Sequence, residues 1–281
     1  MCGILGYYAF GKGRPKREVL EALFNLSSSR GKDATGFAYV TPEGTMKVVK
    51  APLEAEKFLA TREWEEFATG QYPKIFIGHT RTQTKGDAKN NRNNHPVSDS
   101  SGWALVHNGE VRGYEELEEE WGYVERGDAE VDTIALLAAL STSETLEETC
   151  KKWEKLGGSA AILAITSKNP EILITLTDTS PLHYMYDQTG DILYLASTYS
   201  ILTDAFSRYK RGFLCKTLPG SIESVKNQTG FIVDAGGYKE EFKCRLSGYS
   251  RGVSFGANFP LARRYTKGGR EVGKGNGADK I

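Results

Sequence analysis

The chain has 281 residues, and its 36 Lys and Arg balance 36 Asp and Glu, so the formal net charge is zero. A neutral chain is not built as a whole to bind a polyanion, and its 39% hydrophobic and 26% charged residues are typical of a globular protein. No apolar run approaches the length of a membrane span, and no basic region followed by an apolar stretch suggests secretion. We therefore expect a cytoplasmic protein without a membrane partner.

The first hundred residues predict strands, with helical segments between them. Apolar runs bounded by turn residues predict strands at 3–10, 36–40, 46–50 and 74–80. Apolar spacing predicts a helix over 16–29, and a charged helical segment follows at 53–68. Residues 82–101 are rich in Asn, Gly, Ser and Asp. A loop of that length inside a domain is usually functional.

The next hundred residues predict one strand, then helices, then strands again. Residues 103–109 are predicted to form a strand that runs into a turn. Helices are predicted at 113–121, 131–140 and 144–156. Short apolar segments follow, as in an antiparallel meander: SAAILAIT, EILITLT, PLHYMY, DILYLAS and the pair GFLCKTL and SIESV. This order predicts an α+β domain with two sheets and helices outside them, in four layers.

The composition changes near Gly236. Residues 239–281 hold about ten Lys and Arg against four Asp and Glu, and Gly is frequent. Such a segment buries too little apolar surface to fold alone. We predict a domain over 2–235 and a basic, Gly-rich, flexible tail over 236–281. The tail is either a solvated end or a segment that docks on a synthase or an acidic surface. A nucleic-acid partner is not expected, because so short a basic patch gives weak, salt-sensitive contacts.

The candidate chemistry begins at Cys2. Removal of Met1 would leave Cys2 with a free α-amino group, whose ordinary pKa of about 8 suits a base at neutral pH. A thiol attacks only as the thiolate, so nucleophile and base would then share one residue. The alternative is that Cys2 is merely a small residue that starts a strand. Cys150, Cys215 and Cys244 are predicted to be reduced thiols, and no Cys/His spacing resembles a zinc site, so no metal or cofactor is expected.

Six motifs stand in a fixed order along the chain, and the first of them begins at Cys2. They are Cys2-Gly3-Ile4-Leu5-Gly6, Arg30-Gly31-Lys32-Asp33-Ala34-Thr35-Gly36, Gly78-His79-Thr80-Arg81-Thr82-Gln83-Thr84-Lys85-Gly86, Asn94-His95-Pro96, His107-Asn108-Gly109-Glu110 and Val131-Asp132-Thr133. This series resembles the glutaminase domain of class II glutamine amidotransferases over roughly residues 2–225. The resemblance implies a four-layer αββα sandwich of the N-terminal-nucleophile hydrolase type. It also implies an enzyme that splits glutamine into glutamate and ammonia through Cys2.

The resemblance further implies which residues bind glutamine. Arg81 would hold the α-carboxylate, for which a guanidinium offers two parallel donors. Thr84 and the backbone of Thr82 would complete that site, and Asp132 would hold the α-ammonium. Two simpler interpretations stay open, namely that Arg81 is a surface arginine in a polar loop and that Asp132 is a helix cap.

Asn108 and Gly109 match the family's oxyanion pair. Negative charge collects on the amide oxygen during thiolate attack, and the Asn108 side chain and the Gly109 N–H would donate to it. The alternative is an Asn-Gly hairpin turn. Arg30 matches an arginine that packs beside the nucleophile.

Five further residues near these motifs have no catalytic role in the family pattern. His79, His95 and His107 are predicted to be structural. Lys85 stands where the pattern has His, and Ile134 replaces the Glu expected after Asp-Thr, so both would tune glutamine affinity or loop opening.

The sequence leaves the ammonia acceptor open. Nothing that resembles a synthase domain follows the glutaminase-like region, so we expect a separate synthase as partner. A stand-alone hydrolase of glutamine or another γ-glutamyl amide is the alternative. A non-catalytic binding module fits less well, because Cys2, Arg81, Asn108 and Asp132 are all present.

Overall fold

The computed structural model describes residues 1–209, 218–236 and 239–246. The strands are β1 (Gly3–Ala9), β2 (Ala34–Val40), β3 (Met46–Ala51), β4 (Ile75–Arg81), β5 (Val97–Ser98), β6 (Trp103–Arg112), β7 (Gly157–Thr166), β8 (Asn169–Asp178), β9 (His183–Asp187), β10 (Ile192–Ala196), β11 (Ile222–Ser224), β12 (Thr229–Val233) and β13 (Lys239–Lys243). The helices are α1 (Arg17–Ser27), α2 (Ala55–Phe58), α3 (Arg62–Thr69), α4 (Glu115–Glu120), α5 (Thr133–Ser141), α6 (Leu146–Trp153) and α7 (Tyr199–Tyr209), with a short 3-10 helix at Asn91–Asn93.

The described strands form two antiparallel sheets. Sheet A has seven strands in the order β11-β9-β10-β1-β4-β2-β3, and sheet B has six in the order β13-β12-β8-β7-β6-β5. β1 lies in the middle of sheet A, between β10 and β4. β6 pairs with β7 along its whole length. Two antiparallel sheets accompanied by helices confirm the predicted α+β class.

The side chains of β1 show how the layers are packed. Successive residues of a strand point to opposite faces, so Ile4 and Tyr8 enter the core between the two sheets while Leu5 and Tyr7 enter the outer core of sheet A. Helices α1, α2, α3 and α7 cover that outer face. Helices α5 and α6 cover the outer face of sheet B, with α4 packed at its margin. The four-layer αββα sandwich is therefore confirmed.

Several predicted elements differ from the structure. The single meander is wrong, because β7 and β8 pair in sheet B whereas β9 and β10 pair in sheet A. An apolar run predicts a buried strand but does not say which sheet receives it. The helical segment at 53–68 is divided into α2 and α3, and helix α7 was not predicted. Most of GFLCKTL lies outside the described residues, whereas SIESV contains β11.

The folded domain continues beyond the predicted boundary at residue 235. β13 pairs with β12, and Phe242, Cys244 and Leu246 are buried in the outer core of sheet B. The Leu246 N–H also donates to Asp178 Oδ2 at 2.7 Å. The boundary was drawn too early because the average composition of the tail conceals one short strand with alternating burial. Residues 247–281 lie outside the described part, so a flexible tail there stays a prediction.

Within the described residues, Cys2, Cys150 and Cys244 are free thiols, and Cys215 lies outside them. None of the helices in that part of the chain is both long and apolar enough to cross a membrane.

Candidate active site

Cys2 lies directly before β1, where three elements meet. Gly3 pairs with Thr80 near the end of β4, so the start of β1 is beside the residues that follow β4. The Cys2 backbone N–H donates to Asn108 Oδ1 of β6 at 3.0 Å, although the two residues are 106 positions apart. Cys2 Sγ lies 3.7 Å from the Thr82 carbonyl oxygen. Two of the predicted site residues thus contact half-buried Cys2, Asn108 at its backbone nitrogen and Thr82 at its thiol.

The surroundings of Cys2 make its thiol a weak acid. Burial raises the pKa of Cys2, and the hydrogen bond with Thr82, the positive chain terminus and Arg81 only partly oppose that effect. The negative charge of Asp132 acts in the same direction as burial. A thiol with a raised pKa is protonated at neutral pH, so attack requires a base close to the sulfur.

The loop after α1 holds the backbone of Cys2. Arg30 Nε donates to the Cys2 carbonyl at 2.8 Å, and Thr82 Oγ1 donates to the Arg30 carbonyl at 2.6 Å. Gly31 lies so close to the backbone of Arg81 and Thr82 that an added Cβ would come within 2.3 Å of the Arg81 carbonyl carbon. Only glycine fits this approach, which places Arg30 beside the thiol residue.

Asn108 and Gly109 lie inside β6 and do not form a turn. They pair with Ala161 and Ala160 of β7, and the strand continues to Arg112. Both the predicted strand end and the hairpin alternative are therefore wrong. Gly109 has φ +149°, and a Cβ there would come within 2.0 Å of the Ser159 carbonyl oxygen. The strand thereby presents the buried Asn108 side chain to Cys2 and leaves Gly109 exposed.

Asp132 precedes α5 without capping it through its side chain. Its backbone is right-handed helical, whereas a capping side chain requires an extended backbone at that position. Asp132 Oδ2 accepts from the Val111 N–H of β6 at 2.6 Å. The helix-cap interpretation is therefore wrong, and the carboxylate is attached to the strand that carries Asn108.

Arg81 is buried, with an exposed fraction of 2%. Nη1 donates to Asn94 Oδ1 at 2.9 Å, and Nη2 donates to the Gly86 carbonyl at 2.8 Å and to the Lys85 carbonyl. The surface-arginine interpretation is therefore wrong. Three of the five N–H donors of Arg81 thus bond to oxygens of the loop that contains residues 85–94. The other two have no acceptor among the described residues. Burial lowers the pKa of Arg81, and the nearby Cys2, Asp33, Asp87 and Asp132 act in the opposite direction.

The other residues of the Thr82–Gly86 segment are more exposed. Thr84 is exposed and forms no hydrogen bond among the described residues. Lys85 Nζ donates to the Tyr114 hydroxyl at 3.2 Å and lies 5.3 Å from the centre of that ring. Ile134 packs into the outer core of sheet B, so its side chain belongs to the helix layer.

Sequence reasoning missed two residues that support Arg81. Asn94 accepts from Arg81, and its own amide Nδ2 donates to the Ala88 carbonyl at 2.7 Å. Lys50 of β3 donates through Nζ to the Asn94 and Pro96 carbonyls at 2.7 and 2.9 Å. Burial, together with the charges of Arg92 and Arg81, lowers the pKa of Lys50 to about 8. Asn94 belongs to one of the six motifs, which is a signal for it, although the resemblance assigns it no function. No local pattern in the sequence marks Lys50.

The three histidines of the motifs are buried beneath these residues. Burial lowers the pKa of His79 to about 3, and it lowers those of His95 and His107 as well. All three are neutral at pH 7. In the described part of the chain, no group of three or more His, Cys, Asp or Glu side chains is placed to hold a metal ion.

Comparisons with solved structures define the fold. The phosphoribosylpyrophosphate amidotransferase of Bacillus subtilis, complexed with ADP and GMP, matches 86% of this chain and 49% of its own at 20% identity, with a TM-score of 0.62. A glutamine aminotransferase class-II domain protein from Silicibacter pomeroyi matches 86% of this chain and 99% of its own at 14% identity, with a TM-score of 0.53. The αββα sandwich is therefore a fold that this chain shares with both proteins.

Sequence comparisons relate part of the chain to known glutamine-using proteins. Residues 79–204 match the model of a glutamine amidotransferase domain. Glutamine–fructose-6-phosphate aminotransferases from Aquifex aeolicus and Thermococcus kodakarensis are 34% and 35% identical over 187 and 190 residues. These matches cover 65% of this chain and 30% of each relative. Part of the chain is thus similar to glutamine amidotransferases, and the chain spans about a third of the length of these relatives.

Proposed function

We propose that this chain hydrolyses the side-chain amide of glutamine to glutamate and ammonia, with the Cys2 thiolate as nucleophile. The observation that carries the proposal is the 3.0 Å contact between the Cys2 nitrogen and Asn108 Oδ1. It brings the candidate nucleophile to the candidate oxyanion donor from a distant strand. The relatives that use glutamine by name support the same substrate class.

The state of the thiol supports a role for the α-amino group as the base. The raised pKa of Cys2 means that a neighbouring group must accept its proton. Removal of Met1 would expose the Cys2 α-amino group, which can take the proton and later pass it to the departing ammonia. Thiolate attack on the amide carbon then gives a tetrahedral oxyanion, ammonia leaves, and water hydrolyses the resulting thioester to glutamate.

The oxyanion donors lie on β6. Because Asn108 Oδ1 faces the Cys2 nitrogen, its Nδ2 is the part of the amide that can donate to the developing charge. The Gly109 N–H is the second proposed donor. Arg30 would support the Cys2 backbone through its contact with the Cys2 carbonyl.

Glutamine recognition would use charges on both sides of Cys2. One of the two remaining N–H donors of Arg81, on Nε or Nη1, would bind the α-carboxylate, with Thr82 and Thr84 completing that site. Asp132 would bind the α-ammonium. Arg81 acts to lower the pKa of Cys2 and Asp132 acts to raise it, as charges on the two sides of this arrangement would.

The ammonia would pass to a separate synthase that supplies the acceptor. A stand-alone γ-glutamyl amide hydrolase is the competing outcome. Ammonia release from glutamine by the purified chain, with and without cell extract, distinguishes the two. Strong release by the chain alone favours the hydrolase, and release only with extract favours the synthase partner.

The nucleophile is tested with Cys2→Ala and Cys2→Ser. Both variants should lose ammonia release while keeping the circular-dichroism spectrum and the melting temperature, since Cys2 lies outside the core clusters. Intact-mass spectrometry should show that the active protein lacks Met1. Cys150→Ala is the control, because it removes a buried thiol from the helix layer, away from Cys2. Its folded fraction should release ammonia at the rate of the parent protein. Full activity in protein that retains Met1 would refute the mechanism.

A further inference from the structure

A buried polar cluster lies beneath the candidate site, between β4, β6 and the start of α5. It consists of His79, His95, His107 and Thr133, none of which is more than 5% exposed. We call it the His–Thr cluster. Thr133 Oγ1 lies 2.8 Å from His95 Nε2 and 3.0 Å from His107 Nδ1. The His79 and His95 rings are in contact, with their centres 4.3 Å apart.

The carbonyl partners determine which nitrogens carry protons. His107 Nε2 faces the Ser159 carbonyl at 3.3 Å, and His79 Nε2 faces the His107 carbonyl at 3.0 Å. A carbonyl only accepts, so both Nε2 atoms are protonated. Neutral His107 therefore accepts at Nδ1. It takes the single hydroxyl proton of Thr133 at 3.0 Å, because the other acceptor near that hydroxyl, Asp132 Oδ1, lies farther away at 3.4 Å. His95 must then donate from Nε2 to Thr133 Oγ1.

The resulting chain of hydrogen bonds has one direction. It runs from His95 through the Thr133 hydroxyl to His107 and ends at the Ser159 carbonyl. The Thr133 hydroxyl and His107 each accept one hydrogen bond and donate another, and the hydroxyl joins the two imidazole rings. No other described residue offers a partner to the Nδ1 atoms of His79 and His95, so these rings are positioned through Nε2 alone.

Three of the four members of the cluster lie next to a residue of the candidate site, or of its support, along the chain. His95 follows Asn94, which binds Arg81, and Thr133 follows Asp132. His107 precedes Asn108. The Thr133 hydroxyl therefore connects the loop that holds Arg81, the strand that carries Asn108 and the helix start that carries Asp132. Such connections fix the geometry of a site more strictly than apolar packing, because hydrogen bonds are directional.

We propose that Thr133 is a positioning residue for glutamine hydrolysis, whose hydroxyl aligns Asn108 and Asp132 through the His–Thr cluster. The expected effect of Thr133 on the kinetics rests on the proposed function. The alignment of Asn108 and Asp132 by its hydroxyl does not. The hydroxyl touches neither substrate nor reacting atoms. It acts through His107 and through the segment that ends at Asp132.

The first experiment determines the tautomers in the full chain. Long-range nitrogen–proton NMR spectra of the ¹⁵N-labelled protein at pH 7 should show His79, His95 and His107 neutral and protonated on Nε2. The Asn108 side-chain amide signals should shift in Thr133→Val. They should stay in place in Thr149→Val, which removes a buried hydroxyl from α6 that bonds only within its own helix. A proton on Nδ1 of His107, or unchanged Asn108 signals in Thr133→Val, would overturn the proposal whether or not the chain hydrolyses glutamine.

The second experiment measures glutaminase kinetics. Thr133→Val keeps the shape and removes the hydroxyl, so kcat/KM should fall by about 10- to 100-fold, the range expected when reacting groups are misplaced by a fraction of an ångström. Thr133→Ser retains the hydroxyl and should stay within about threefold of the parent, as should Thr149→Val. Equal losses in the Ser and Val variants at position 133 would mean that volume and not the hydroxyl matters, which contradicts the proposal. A wild-type chain without activity would instead refute the proposed function, and the NMR result would then decide alone.

Discussion

At the scale of single residues, Arg81 holds a loop with some of its donors and keeps others for the proposed substrate contact. Its guanidinium organises the loop of residues 85–94 through the Asn94, Lys85 and Gly86 oxygens. The proposed carboxylate contact would use one of the donors that remain. A planar guanidinium can serve both sets of acceptors at once because its five N–H groups point in fixed directions.

Arg81→Lys is therefore expected to weaken glutamine binding. Lysine keeps the charge but provides three donors on one nitrogen, so the loop contacts and the carboxylate contact cannot all be kept. Loss of a charge-assisted hydrogen bond costs about 1.5–3 kcal/mol, which predicts a KM raised by about 10- to 100-fold. Since the contact is the same in ground and transition states, kcat should change less.

Steady-state ammonia release measures both constants. Arg92→Lys is the matched control, because Arg92 lies on the same loop but pairs with the exposed Asp128 at 2.9 Å. Its KM should equal that of the parent. An unchanged KM in Arg81→Lys would exclude Arg81 from the glutamine site.

At the scale of elements, β6 and β13 show that pairing with a neighbouring strand can form or lengthen a strand where the local sequence does not predict it. β6 continues through Asn108-Gly109 because β7 pairs with it as far as Arg112. An Asn-Gly pair that would form a hairpin in isolation is held extended by its neighbour. β13 likewise forms in a polar, charged segment because the edge of β12 is available to it.

The contribution of β13 can be measured by truncation. A chain that ends at residue 246 should unfold at the same urea concentration as the full chain. One that ends at residue 235 loses the buried Phe242 and Leu246 side chains, each worth about 1.5–3 kcal/mol, and should be less stable by at least about 3 kcal/mol. Equal stability of the two truncated chains would mean that β13 adds nothing to the domain.

At the scale of the whole molecule, the core between the sheets and the two outer cores disfavour charged side chains. The His–Thr cluster lies between the sheets, where water is excluded, and its histidines are neutral for that reason. The same burial links the protonation of these side chains to the stability of the entire domain.

The domain should therefore lose stability in mild acid. The histidines titrate near their ordinary pKa of about 6.5 when unfolded, but His79 has a pKa of about 3 in the folded state. Below pH 6.5 the unfolded state binds more protons than the folded state, so the free energy of unfolding falls as the pH falls. Each buried histidine contributes up to about 1.4 kcal/mol per pH unit.

Urea unfolding at pH 7 and pH 5 tests this expectation, together with NMR titration of the imidazole signals. The native signal of His79 should stay unchanged down to about pH 4. Titration of native His79 near pH 6.5 would contradict the assignment of its neutral state.

The sequence alone determined the fold class and most of the candidate site. Apolar runs at period two and helical spacing predicted most strands and helices, because burial of side chains is recorded locally along the chain. The order of the motifs predicted Cys2, Arg30, Arg81, Asn108 and Asp132 as one site, and the structure brings these residues together. The role of each stays a prediction.

Only the tertiary structure decided which sheet receives each strand, where the domain ends and what supports the site. Four features depend on residues far apart in the chain. They are the separation of β7–β8 from β9–β10, the pairing of β13, the Lys50 contacts and the bridging hydroxyl of Thr133. No local pattern encodes them, because the free energy of such a contact depends on what the rest of the fold places beside it. A buried polar group is stable only where that fold supplies its partner.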